Sequence, residues 1–341
     1  MTSSGKRALI VVVILFLILA GVAFYFIHGF GTNPVLAPGA PPDLFSLLPP
    51  DAPLIVYGDV AAVKSSAAFA NGSVLFSPGV AEDPIYRDFV RDTGFDYSRD
   101  LDRFVIAAWP NEDKPSPVLA ERIRLIAIAD GRFDHAKIDA YARRVGRVSN
   151  ASGPVIYETP SALPGQGISF TFLGPNRIAF AQAMSLDAVL HPAQVSQQDP
   201  ATRERIARVS GAQFFAVART DDLPKAIGAH ELQSGQLNRL LKSIRNISIS
   251  GRPDGNNFAL AAEADCDSLP NALQLATLLD TMRWLGRAAL ADPRTRAQMH
   301  ANDAALLDSL LRVAAVSHDG RSVRLRLELT PEILQASPKP H

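Results

Sequence analysis

The order of elements along this chain repeats itself, and a repeat fixes architecture before any local assignment is made. Ala52–Ser66 (APLIVYGDVAAVKSS) reads as a strand running into a short helix, and Asp102–Gly146 reads as two strands, a loop between them, and a helix that stops at glycine. Gly211–Gly228 and Ile244–Gly286 give the same order again. Phe104–Ala108 and Ile123–Ala129 are β-branched and apolar, with breakers between them. Ile247, Ile249 and the alternation Phe258, Leu260, Ala262 flank the turn signal Pro253-Asp254-Gly255. Asp134 suits the N-cap of a helix His135–Val145 ending at Gly146; Asp267 or Ser268 suits that of a helix from Leu269, with Pro270 in its first turn and Gly286 placed to end or interrupt it. Each half closes alike: strands Ile168–Leu173 and Ile178–Ala181, then a helix Ser185–Leu190; strands Val313–Val316 and Ser322–Leu329, then the cap Thr330-Pro331-Glu332.

Strands arriving in hairpins imply antiparallel pairing. The expected fold class is α+β: two tandem repeats, residues 43–190 and 201–336, each an antiparallel sheet with helices packed on one face. The polar, proline-bounded segment 191–200 reads as their linker.

The N-terminus reads differently. Ala8–Ile27 is twenty residues without a charge, about 30 Å as a helix, and so a single transmembrane helix. Lys6 and Arg7 precede it and no Lys or Arg follows until Lys64. The positive-inside rule then leaves residues 1–7 cytoplasmic and sends the rest across a bacterial inner membrane into the periplasm. The run continues past the small residues Ala20, Gly21 and Ala23, which favours a signal-anchor over a cleaved signal. Residues 28–42, rich in proline and uncharged, read as an extended stalk. The bilayer is thus one expected partner, through residues 8–27.

Charge narrows the function classes. The chain has 34 basic and 34 acidic residues; without Lys6 and Arg7, 32 against 34 remain, net −2. That argues against nucleic acid as a partner, and gives no electrostatic reason for adhesion to anionic lipid. A single cysteine, Cys266, excludes an internal disulfide framework, and its neighbours Asp265 and Asp267 disfavour the thiolate. Phosphate-loop, dinucleotide, serine-hydrolase and zinc-protease motifs are absent from the sequence. Asp130-Gly-Arg-Phe-Asp134 lacks the oxygen ligand at its third position that a calcium loop requires, and reads as a turn and helix cap. The histidines have no metal-motif spacing. No catalytic, cofactor-binding or metal residue is therefore assigned.

The sharpest feature is the helix from Leu269, apolar nearly all round except for Gln274, Thr277 and Thr281. Such a helix is either wedged between the repeats or offers a surface to an apolar ligand or to an envelope protein. On the second reading the surface is Leu275, Leu278, Met282, Trp284 and Leu285.

Leu47-Leu48-Pro49-Pro50-Asp51-Ala52-Pro53 leading into Val56-Tyr57-Gly58-Asp59-Val60, with Phe89–Asp96 and Asp100-Leu101-Asp102, resembles uncharacterised bacterial membrane-anchored envelope proteins, notably of acidobacteria. The resemblance implies export and a duplicated α+β ectodomain, and carries over no site residue. The functional expectation is a membrane-tethered extracytoplasmic interaction or scaffold protein. The alternative is a periplasmic binding protein for an apolar ligand held between the two repeats.

Overall fold

The computed structural model describes residues 42–66, 84–111, 123–149, 153–160, 167–191, 200–221, 235–297, 299 and 301–335. The expected anchor, most of the stalk and nearly all of the linker lie outside these residues. Among the described residues no helix is long and apolar enough to cross a membrane.

The strands are β1 Leu54–Asp59, β2 Leu101–Pro110, β3 Ile123–Gly131, β4 Arg147–Ser149, β5 Ile156–Pro160, β6 Gly167–Gly174, β7 Arg177–Gln182, β8 Phe214–Arg219, β9 Ile244–Asp254, β10 Asn257–Cys266, β11 Ala315–Asp319 and β12 Ser322–Leu329. They form one antiparallel sheet in the order β11-β12-β10-β9-β8-β1-β2-β3-β7-β6-β5-β4. Read outward from the middle, β1-β2-β3-β7-β6 and β8-β9-β10-β12-β11 follow the same path, and the first half adds β5 and β4 beyond β6.

The halves meet where β1 pairs with β8: Ile55 opposite Val217, Val56 opposite Ala216, Tyr57 opposite Phe215. Val56 and Ala216 are each the third residue of their strand and face each other, so a local pseudo-twofold axis passes through that pair. Such an axis keeps the two faces of the sheet distinct. The front face carries Ile55, Tyr57, Val105, Ala107, Ile126, Ile128, Phe215 and Val217, and is covered by Leu44 and Leu48 at the helix α1 (Pro42–Ser46), Val189 of α6 (Asp187–Leu190) and Val209 of α7 (Pro200–Val209). Phe45, Tyr57 and Phe215 lie with ring centroids 5.2–5.9 Å apart. Among the described residues these rings and the core side chains around them fill the front of the seam.

The back face carries Val56, Phe104, Ala129 and Ile178 under Val60 of α2 (Val60–Ser65) and Ile138 and Ala142 of α5 (His135–Val145). Its second half lies under α8 (Gly235–Ser243), α9 (Leu269–Ala291), α11 (Ala301–Val313) and α12 (Pro331–Gln335). Helices on both faces correct the expected one-sided layer. The cause is the run Leu54–Tyr57, which is apolar on consecutive rather than alternate residues, so both surfaces of the central strands must be shielded from water. On the front of β9, β10 and β12 polar residues alternate with apolar ones. There Arg208 Nη1 donates to Glu263 Oε1 at 3.1 Å and Arg324 Nε to Glu263 Oε2 at 2.9 Å.

Local signals act as their chemistry requires. The Asp134 carboxylate accepts from Lys137 N at 3.1 Å to cap α5, and Gly146 follows its last residue. Ser268, rather than Asp267, accepts from Asn271 N to cap α9. Gly286 does not end that helix; it lets Leu311 of α11 pack close, since a Cβ there would lie 2.9 Å from Leu311 Cδ1. The other helices are α3 (Pro84–Thr93), α4 (Tyr97–Asp100) and α10 (Pro293–Arg296).

Across the back of the seam a row runs Phe104, Gly58, Phe214, Gly251, each opposite the next on neighbouring strands. The rings lie over the glycines: a Cβ on Gly58 would meet Phe104 Cε1 at 2.5 Å, and one on Gly251 would meet Phe214 Cε1 at 2.0 Å. Gly251→Ala is therefore expected to lower stability by about 1–3 kcal/mol through overpacking, and pairing it with Phe214→Leu to recover part of the loss. Urea unfolding of the three variants checks this; an unchanged midpoint for Gly251→Ala would remove the ring-over-glycine account.

Candidate functional site

α9 begins at a capped N-terminus beyond the end of β10 and packs on β10, β12 and β11, with α11 beside it. Ala272, Leu275 and Ala276 face inward with Ile244, Cys266 and Val323. The helix is a cover for the outer strands of the second half, not a wedge between the repeats, because the seam is already closed by β1 and β8. Of the residues expected to form a surface, Leu275 is buried, Leu278 and Met282 are half-buried, and Trp284 and Leu285 are exposed, Trp284 by 67%. They do not form one surface.

Leu269 and Leu273 are the other large apolar residues the structure leaves exposed. At 100° per residue, Leu269, Leu273 and Trp284 fall within about 60° of one another around the helix. Asp280 and Arg287 share that flank. The i, i+4 spacing of Leu269 and Leu273 was visible in the sequence, but an almost uniformly apolar helix gives no contrast to say which side is covered.

A second concentration of polar groups sits where β1, β2, β3 and β7 end, around a cleft of about 540 Å³ lined by Asp59, Asp102, Arg103, Asp130, Asn176 and Arg177 among others. Asp130 is buried, receiving Arg103 Nη2 at 2.9 Å and Arg177 Nε at 2.6 Å, so it belongs to β3 and an ion-pair cluster rather than to a turn. Asp59 caps α2, accepting from Ala62 N at 2.8 Å. Burial pushes the carboxyls of Asp59 and Asp102 up from the ordinary range, against the pull of nearby cations. Lys64, only 5% exposed, reaches Leu101 O at 3.4 Å, and its burial lowers the ammonium to about 8 despite Asp102.

Asp130 with Arg103 and Arg177 ties the ends of β2, β3 and β7 together, while Asp59 caps α2 beside them. Burial and Asp267 raise the Cys266 thiol, so it is no activated nucleophile. Among the described residues no group of three or more His, Cys, Asp or Glu side chains is placed to hold a metal ion.

No protein-family model and no curated protein matches the chain. Crystal forms III, I and IV of TP0453 align with 86% of this chain and 96%, 97% and 95% of their own, at 10%, 11% and 11% identity and TM-scores of 0.49, 0.43 and 0.49. Likeness at that level assigns no function.

Lys64 yields a pH prediction. Its folded pKa lies below the unfolded value of 10.5, so between about 8 and 10.5 the unfolded chain holds more protons and this group makes stability rise with pH. Relative to Lys64→Met, the native chain should gain on the order of 2–3 kcal/mol across that window. Chemical denaturation of both at several pH values measures the difference, and a difference independent of pH would contradict a buried ammonium.

Proposed function

We propose that this chain is a membrane-tethered extracytoplasmic interaction module that uses the outward side of α9 as a contact face. The exposure of Trp284, together with Leu269 and Leu273, on a helix whose opposite side is packed carries this reading. Large aromatic and aliphatic side chains held in place by a rigid element are what protein contacts are built around. The apolar run Ala8–Ile27 with Lys6 and Arg7 before it supports tethering, with residues 1–7 in the cytoplasm and the folded body in the periplasm. An apolar ligand held between the repeats finds no support, since the seam is a hydrogen-bonded strand pair under packed rings.

A photo-crosslinking amino acid in place of Trp284, in the full chain in its own membranes, should give a protein adduct. The same group at Asp88, exposed on α3, should give none, and Leu269→Asp with Leu273→Asp should reduce the Trp284-site adduct at least fivefold. Equal labelling from both positions would leave α9 an ordinary surface.

A further inference from the structure

β11 is the strand with which the second half ends at the sheet edge, and its counterpart in the first half is not an edge. β6 occupies the corresponding place and pairs on both sides, with β7 and with β5. Among the described residues β11 pairs with β12 alone. Natural edges are defended by shortness, charge, proline, a bulge or a covering element. β11, Ala315-Val316-Ser317-His318-Asp319, is short and carries one acid at its end, but it has no proline or lysine and its register with β12 runs without a shift.

The two-residue connection Gly320–Arg321 makes Asp319·Ser322 the closing hydrogen-bonded pair, so Ser317 and Ala315 bond to β12 while the N–H and C=O groups of Val316 and His318 point away from the sheet. Overhead, α9 has two unlike flanks. Gly286 and Leu290 lie toward α11; Arg283 reaches down to Ala314 O, just before β11, at 3.2 Å. Leu269, Leu273 and Trp284 continue round the helix from Arg283 away from α11, which turns them toward the β11 edge. An unpaired strand and an exposed apolar helix flank thus occupy the same side of the molecule.

We propose that β11 pairs antiparallel with the β11 of a second copy of this chain, about a twofold axis at Ser317, with the outer flanks of the two α9 helices packed together over the new seam. This rests on the reading of α9 as a contact face and names its partner. The pairing is self-complementary: Ser317 meets Ser317, Val316 meets His318, and Ala315 meets Asp319, so no like charges oppose. A twofold normal to the sheet leaves both α9 helices on the back face. With strands about 4.8 Å apart and each helix seated over β11 and β12, their axes come to roughly 10–14 Å, within side-chain reach of ordinary helix packing. The chain joins its own two halves in the same way, β1 to β8 about Val56·Ala216.

In the partner-facing pair Ser317 occupies a non-hydrogen-bonded site, where Cα atoms lie about 4.5 Å apart and a disulfide can close. The full-length Ser317→Cys chain, oxidised in its membranes, should run as a disulfide-linked dimer; the native chain, whose single cysteine is buried, should not. Adding His318→Pro removes an outward N–H without breaking the ladder to β12, and should cut the dimer at least tenfold; adding Trp284→Asp should also reduce it. A Ser317→Cys dimer with those losses supports the pairing. A Ser317→Cys chain that stays monomeric with native circular dichroism overturns it, as does a dimer indifferent to His318→Pro. If the photo-crosslinker at position 284 captures a different protein while Ser317→Cys stays monomeric, the pairing fails and the contact face stands. If neither crosslinks, both fail.

Discussion

The ladder between β1 and β8 is the interaction from which most of this structure follows. Two strands separated by about half the chain share one register, and their side chains are apolar toward both faces. Shielding both faces requires a helix layer in front and another behind, so the protein is three layers thick at its centre. The same ladder makes the junction between the repeats a hydrogen-bonded strand pair. What polar chemistry the first half retains is pushed to the strand ends, where Asp130 with Arg103 and Arg177 closes β2, β3 and β7.

Departures from symmetry distinguish the two halves. The first half finishes its sheet with the β4–β5 hairpin, where Tyr157 stacks on Phe170 with centroids 4.7 Å apart and donates to Asp139 of α5 at 2.6 Å. The second half has no equivalent among the described residues. Its covering helix is twice as long, 23 residues against 11, and extends beyond what the strands beneath it can bury. Trp284 stands exposed on that helix.

Much of the architecture was legible in the sequence because its signals are local. The hairpins, the antiparallel order and the helix His135–Val145 with its two caps depend on residues a few positions apart. Other features depend on distant ones. Nothing near Leu54–Tyr57 says whether a continuous apolar run is covered from one side or two until β8 is placed beside it. Gly286 looks like a helix end until Leu311 is seen to need the space. The three residues of β4, with Arg147 and Ser149 exposed, carry too little pattern to announce a strand. The ion-pair cluster joins residues 103, 130 and 177, and no spacing rule links them. For α9 the sequence reveals the composition of a surface but not its direction: Leu275 and Trp284 look alike in it although the two face opposite ways.

The row of rings and glycines across the seam bears on how the chain comes to be folded. Tyr57 meets its partner Phe215 only 158 residues later, and Gly58 has a ring from Phe104 on one side long before Phe214 arrives on the other. A chain delivered from its N-terminus exposes β1 first, bare along the edge that β8 will occupy. Until the second half arrives, the first is an apolar open sheet, vulnerable to pairing with a neighbour in the same state. If the chain is anchored as proposed above, it would wait out that interval beside the surface from which it emerged, and such a tether would shelter the nascent sheet as well as locate the finished one.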